Sequence, residues 1–166
     1  DHGLPTEKTV AALYDEMDFQ RACQSYLWAL PIVNIGEWQR AHEIDFGAAD
    51  GDIVIYTTYR AKLGILTPNI TTPYIIGFAN LSRTGPLVID YPPGLSAGGV
   101  LDCWQRPLFD MGQTGPDKGA GAKYLVIGPG QEAPNADGYS VYRSSTFNIG
   151  LGYRVLETDP DKADTL

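Results

Sequence analysis

Apolar residues in the first 46 positions recur at helical spacing. Val10, Leu13, Tyr14 and Met17 fall on one helical face, and Phe19, Ala22, Cys23, Tyr26, Leu27 and Leu30 repeat that spacing in a second register. The change of register predicts two consecutive helices. Thr6 caps the first, with Glu7 in its opening turn, and Asp18 caps the second. Pro31 is expected to end the second helix near Leu30, because proline has no N–H to donate and its ring crowds the preceding turn. A third short helix is expected from about Ile35 to Ile44, with Trp38 and Ala41 inward and Glu37, Gln39 and Arg40 outward.

After Gly47 the period changes from helical to short β-type runs with glycine and proline between them. The predicted strands are Ile53–Thr57, Tyr74–Asn80, Leu87–Tyr91, Val100–Trp104, Tyr124–Ile127, Tyr139–Ser144 and Gly150–Leu156. Seven short strands with such punctuation indicate a β-sandwich or jelly roll. The span from Pro107 to Lys123 reads as one long loop, and long loops on a rigid sheet are common carriers of function. The chain thus divides into a helical segment (1–46), a β-domain (47–156) and an acidic linker (157–166). The linker points to a second domain beyond it.

Composition narrows the function classes. In a chain of 166 residues the formal charge is −8, the isoelectric point is near 4.6, and no basic cluster exceeds two residues. That argues against nucleic acid and against anionic membrane surfaces, which need grouped Lys and Arg. The longest apolar runs are far shorter than the roughly 20 residues of a membrane helix. Cys23 and Cys103 are too few for a disulfide framework and lack metal or redox spacing, so they read as buried free thiols, with a single bridge as the alternative. The chain opens Asp-His-Gly, which favours processing or a boundary within a longer protein.

Catalytic signatures are missing. There is no GxSxG elbow, HExxH pair, EF-hand, phosphate-binding loop or dinucleotide glycine pattern, and the two histidines are His2 and His42. No metal site and no cofactor is assigned. Three stretches remain. In Leu66-Thr-Pro-Asn-Ile-Thr-Thr-Pro-Tyr74 the prolines enforce an extended path, and Asn69, Thr71 and Thr72 either close turns on the backbone or face a ligand with Tyr74. In Asp102-Cys-Trp-Gln-Arg106, strand alternation sets Asp102, Trp104 and Arg106 on one face, either to grip a polar ligand or to shield a half-buried indole. Asp110 and Asp117 flank a glycine-rich loop that supplies too few oxygens for Ca²⁺, and Tyr142, Arg143 and Arg154 suit carboxylates or structural ion pairs.

Several of these stretches together resemble one family. The run from Leu13 to Pro31, Thr67-Pro-Asn-Ile-Thr-Thr-Pro-Tyr74, Gly85-Pro-Leu-Val88, Trp104-Gln-Arg-Pro107, Gly115-Pro-Asp-Lys-Gly119, Lys123-Tyr-Leu-Val126 and Tyr142-Arg-Ser-Ser-Thr146 resemble, in order, the domain of unknown function 1254. The resemblance implies amino-terminal helices followed by a jelly-roll-like antiparallel β-sandwich. It also implies an exported bacterial protein, periplasmic or secreted, with a carboxy-terminal β-domain (unknown function 1214) as partner and a homo-oligomeric, trimer-like assembly. Two functional readings follow. One is an assembly or ligand-binding module using Asn69, Thr72, Tyr74, Trp104 and Arg106. The other is a hydrolase or lyase acting on a small molecule or saccharide, with Asp102 or Asp110 as acid or base, Tyr142 as proton donor and Arg143 or Arg106 stabilising charge. The second requires the two carboxyls to converge on one pocket.

Overall fold

One helix, α1 (Glu7–Asp45), precedes eight strands in a computed structural model that describes residues 3–62 and 64–157. The expected three helices are therefore one, of 39 residues and about 58 Å. Thr6 caps it as expected, accepting from the Thr9 amide. Asp18 is an interior residue, and Pro31 lies inside the helix. Interior proline costs about 3 kcal/mol, and contacts on both sides offset it. Gln105 donates to the Pro31 carbonyl (2.8 Å) and to Asn34 Oδ1 (3.1 Å), Trp28 packs on Trp104 (4.7 Å), and Ile35 and His42 are buried one and three turns on. Proline stops helices whose next turn has nothing to bury, and this one has a sheet to cover.

The strands are β1 (Ile53–Tyr56), β2 (Tyr74–Asn80), β3 (Leu87–Tyr91), β4 (Ser96–Asp102), β5 (Pro107–Gly112), β6 (Ala122–Ile127), β7 (Ser140–Arg143) and β8 (Asn148–Val155), with a one-turn helix α2 (Leu81–Thr84) after β2. They form an antiparallel five-stranded sheet, β1-β2-β8-β4-β5, and a three-stranded sheet, β3-β6-β7. All pairs are antiparallel except β6 with β7, which are parallel. Strand β5 occupies the first part of the expected 107–123 loop. Proline is tolerated as its first residue, and behind it Phe109 and Met111 point into the core while Asp110 points out. Strand β4 starts at Ser96, through Gly98-Gly99, which read in sequence as a turn.

The two sheets bury Ala79, Tyr91, Val100, Phe109, Met111, Tyr124, Val126 and Ile149 between them. A second cluster, Ile35, Tyr56, Tyr74, Ile76 and Phe78, forms where α1 crosses the outer face of the larger sheet. There a polar chain fixes the helix. His42 Nδ1 bonds the Trp38 carbonyl (2.9 Å), which makes it the protonated nitrogen. Nε2 then accepts from Tyr56 Oη (3.1 Å), and that oxygen accepts from the Trp38 indole N–H (3.4 Å). Burial holds the His42 pKa below its ordinary value, outweighing the bond to the Trp38 carbonyl. Among the described residues no helix is long and apolar enough to cross a membrane. Of the cysteines, both free, Cys103 is half-buried, but Cys23 is exposed on α1 rather than buried.

Candidate functional site, a glycine-paved trough

Period-two alternation decides what the outer face of the larger sheet offers. On β8, Ile149, Leu151 and Tyr153 turn into the sandwich, so Gly150, Gly152 and Arg154 face out. Register sets Gly152 between Ile76 and Gly99, Gly150 between Phe78 and Leu101, and Arg154 between Tyr74 and Ala97, with Asp110 beyond Gly99. The middle of the two central strands, at Gly99, Gly150 and Gly152, thus carries no side chain outward, with Leu101, Ala97 and Arg154 around it. The result is an open trough of about 640 Å³, walled on one side by Tyr74, Ile76 and Phe78, closed at one end by Ile35 and Trp38 of α1, and overhung by 65–67.

The paving glycines have ordinary φ values, so space rather than backbone angle calls for them. A Cβ on Gly150 would come within 3.1 Å of the Phe78 ring, and one on Gly152 within 2.9 Å of Ile76 Cδ1. One on Gly99 would lie 2.7 Å from the Phe109 carbonyl. Next to them, Gly98 lets β4 and β8 approach so closely that a Cβ would overlap the Gly152 carbonyl and the Tyr153 backbone.

Polar groups stand at the rim. The exposed Arg154 guanidinium lies over the Tyr74 ring (5.0 Å), and among the described residues it has no carboxylate partner. Lys62 Nζ approaches the same ring (4.7 Å), although Lys62 is only 1% exposed. It donates to the Thr72 carbonyl (2.5 Å) and the Asn69 carbonyl (3.3 Å). Asp110 stands at the opposite corner, two strands and two residues from Arg154, about 12 Å on ordinary sheet spacings.

Only part of the expected site gathers here. Tyr74 and Asp110 line the trough. Asn69 and Thr72 support it from outside: Asn69 Oδ1 accepts from the amides of Thr71 (3.1 Å) and Thr72 (3.0 Å) and from the Thr72 hydroxyl (2.9 Å), while the Asn69 amide donates to Tyr74 Oη (3.0 Å). Trp104 and Arg106 sit instead at the tip of the β4–β5 hairpin, against α1. That tip is a tight turn, in which Gln105 N–H bonds the Asp102 carbonyl, so strand alternation does not apply to 102–106. Asp102 Oδ1 accepts from the amides of Trp104 (2.8 Å) and Arg106 (3.0 Å), and Oδ2 takes the Arg106 guanidinium (2.6 Å). Burial would raise the Asp102 pKa, but these donors together hold it below the usual carboxylate value.

The acid–base constellation does not assemble. Asp102 continues the inward series of Val100, whereas Asp110 faces the trough, so the two carboxyls diverge onto opposite faces. Tyr142 stacks on Phe109 (4.0 Å) in the sandwich, and Arg143 donates to the Gln131 carbonyl (3.1 Å) on the smaller sheet. Asp117 is a turn organiser, accepting from Gly112 N–H (2.9 Å) and Tyr124 Oη (2.8 Å). Burial first, and Asp117 second, push the Tyr124 phenol far above its ordinary range. Among the described residues, no three His, Cys, Asp or Glu side chains are grouped to hold a metal ion. Sequence reading missed Gly99, Gly150, Gly152, Ile76, Phe78 and Lys62. The signal was present for the glycines: in Gly150-Leu-Gly152-Tyr-Arg154 every second residue lacks a side chain until the arginine.

Comparison with known proteins places this arrangement. The family described as Protein of unknown function (DUF1254) matches residues 52–166, which covers both sheets but not Ile35 and Trp38 of α1. The chain belongs to the DUF1254 family. The stretch from Leu13 to Pro31 precedes the matched span. In structure, the chain is similar to the VPA0106 protein from Vibrio parahaemolyticus, with a TM-score of 0.65 at 11% identity over 84% of this chain. At that identity the likeness concerns the fold, and the chain spans 33% of that protein's length. No curated protein matches it.

Proposed function

We propose that this DUF1254 domain is a non-catalytic binding module of an exported two-domain protein, and that its trough holds an elongated apolar molecule with one anionic end. The trough's apolar floor supports this reading: small-molecule sites are mostly apolar concavities of about 300–1,000 Å³ with a few placed polar groups. Arg154 orients the anionic end, and Asp110 at the far corner repels an anion there, which fixes direction.

The test is calorimetric titration with decanoate. The wild-type chain binds it, and decanol, of the same length without the charge, binds about tenfold or more weakly, since a hydrogen bond to a charged group is worth about 1.5–3 kcal/mol. Arg154→Ala removes that preference. Gly152→Val, whose side chain fills the trough against the flexible end of Ile76, abolishes binding of both while circular dichroism stays unchanged. Equal binding by wild type and Gly152→Val, or none by wild type, overturns the reading.

A further inference from the structure

Where α1 closes the trough, a second groove begins. Trp38, Ile65 and Leu66 line the trough and also line an open groove of about 900 Å³ along the flank of α1, which continues past Ala41 and Tyr56 to Phe46. One of the three shared residues stands in solvent: Leu66 is 90% exposed. Thr67 after it is a β-branched residue at φ 55°, an angle such residues rarely adopt, so backbone strain accompanies an apolar side chain held out between two concavities. The polar side chains of the second groove are largely engaged with one another or with α1. Trp38 Nε1–H donates to Tyr56 Oη (3.4 Å), Gln105 donates to Asn34 Oδ1 (3.1 Å), and Glu37 holds Arg40 (2.8 Å). What the groove offers a ligand is apolar surface, and Glu37 and Asp45 at its edge repel an anion.

From Arg154 to Gly150 the trough follows β8 for about 14 Å at about 3.4 Å per residue, a length that roughly ten carbons fill. From Trp38 to Phe46 the groove follows α1 for about 12 Å at about 1.5 Å per residue, room for roughly six to eight carbons more. We infer that the two concavities serve one ligand, a long-chain fatty acid of roughly 16–18 carbons, whose carboxylate sits at Arg154 and whose tail turns past Trp38 and Leu66 into the groove beside α1. The inference rests on the trough being the binding site, and it adds the length of the ligand and the path of its tail. Charge sets the direction: the carboxylate meets a guanidinium at Arg154 and would meet Glu37 and Asp45 in the groove. The formal charge of −8 disfavours an anionic bilayer as the source, so the fatty acid is taken free from solution.

Calorimetric titration of the whole chain with decanoate, dodecanoate, tetradecanoate, hexadecanoate, octadecanoate and eicosanoate, each kept below its micelle-forming concentration, tests this. Affinity rises about two- to fourfold per added carbon as far as hexadecanoate or octadecanoate, and eicosanoate gains nothing more. Two variants block the groove and leave the trough open. Gly64→Phe adds a ring where a Cβ meets nothing within 4 Å, and Ala41→Phe adds one from the helix side; circular dichroism and the melting temperature check that each folds. In both, decanoate binds within about twofold of wild type, while hexadecanoate loses its advantage over decanoate, about 50-fold or more in wild type. A wild type that binds decanoate and hexadecanoate alike, or folded variants that keep the full gain with length, overturns this inference and leaves the trough reading standing. Binding of none of the acids overturns both. Co-sedimentation with phosphatidylglycerol vesicles in place of binding to the free acids overturns the assignment to a dissolved fatty acid.

Discussion

Removing the Asp102 carboxylate separates a structural role from a chemical one. Asp102 is 1% exposed, and it holds two backbone amides and one guanidinium at the tip of the β4–β5 hairpin, with the Ser145 hydroxyl at 3.3 Å. In Asp102→Ala both amides lose their acceptor, at about 1–1.5 kcal/mol each. The ion pair adds less than a buried one would, because the Arg106 side chain is 61% exposed and regains water. The sum is about 3 kcal/mol. With a urea slope of about 2 kcal/mol/M, the unfolding midpoint should fall by about 1.5 M. Arg106→Ala should cost about 1 kcal/mol or less. The pH dependence has a definite sign. A carboxyl whose folded pKa is lowered contributes stability that is complete above its unfolded value of 3.8 and is lost as pH falls through the folded pKa. Wild type and Asp102→Ala should therefore differ at pH 7 and converge under strong acid. A midpoint shift under about 0.3 M at neutral pH, with decanoate binding lost instead, would refute the argument and return Asp102 to the chemistry.

Two further outcomes follow from the polar networks. His42 is held neutral with a pKa below its ordinary 6.5, so its contribution is complete above about pH 6.5 and is lost as pH falls towards the folded pKa; melting temperatures between pH 7 and 5 should drop in wild type, and a His42→Gln variant should show a flatter profile. An equal slope in both would remove His42 as the cause. Asn69→Ala deletes the acceptor that closes the 69–72 turn behind Tyr74 and should lower the melting temperature by about 3–6 °C for about 1.5 kcal/mol, as calorimetry can read.

The strands were legible where the local pattern is unambiguous: β2, an unbroken apolar run after Pro73, and β3, which alternates, run over the residues their patterns mark. Legibility failed where a local rule met a tertiary contact. Pro31 is a helix stop in isolation, and only the sheet beneath Ile35 and His42, with Gln105 reaching across, makes continuation favourable. Gly98 and Gly99 resemble a turn until β8 lies alongside them. At the site, Asn69, Asp102 and Asp117 looked like ligand groups because short polar side chains near glycine and proline serve turns and binding equally, and here each is spent on backbone amides. The trough was harder to see, since it consists of side chains that are missing, aligned by a register no single strand contains.

Strand β8 is the last of the described strands to be made and lies at the centre of the five-stranded sheet, between β2 and β4. A nascent chain can close β1 on β2 and β4 on β5 as hairpins, but neither pair can join the other until residues 148–155 leave the ribosome. At about 5–20 residues per second, synthesis from β2 to β8 takes several seconds. Throughout that time β2 and β4 present unpaired edges, and the buried run Tyr74-Ile-Ile-Gly-Phe-Ala79 is an invitation to cross-pairing. Vectorial synthesis thus leaves two unjoined strand pairs waiting for a common partner, and a stop codon between Gly112 and Asn148 leaves two adhesive hairpins rather than a smaller sandwich.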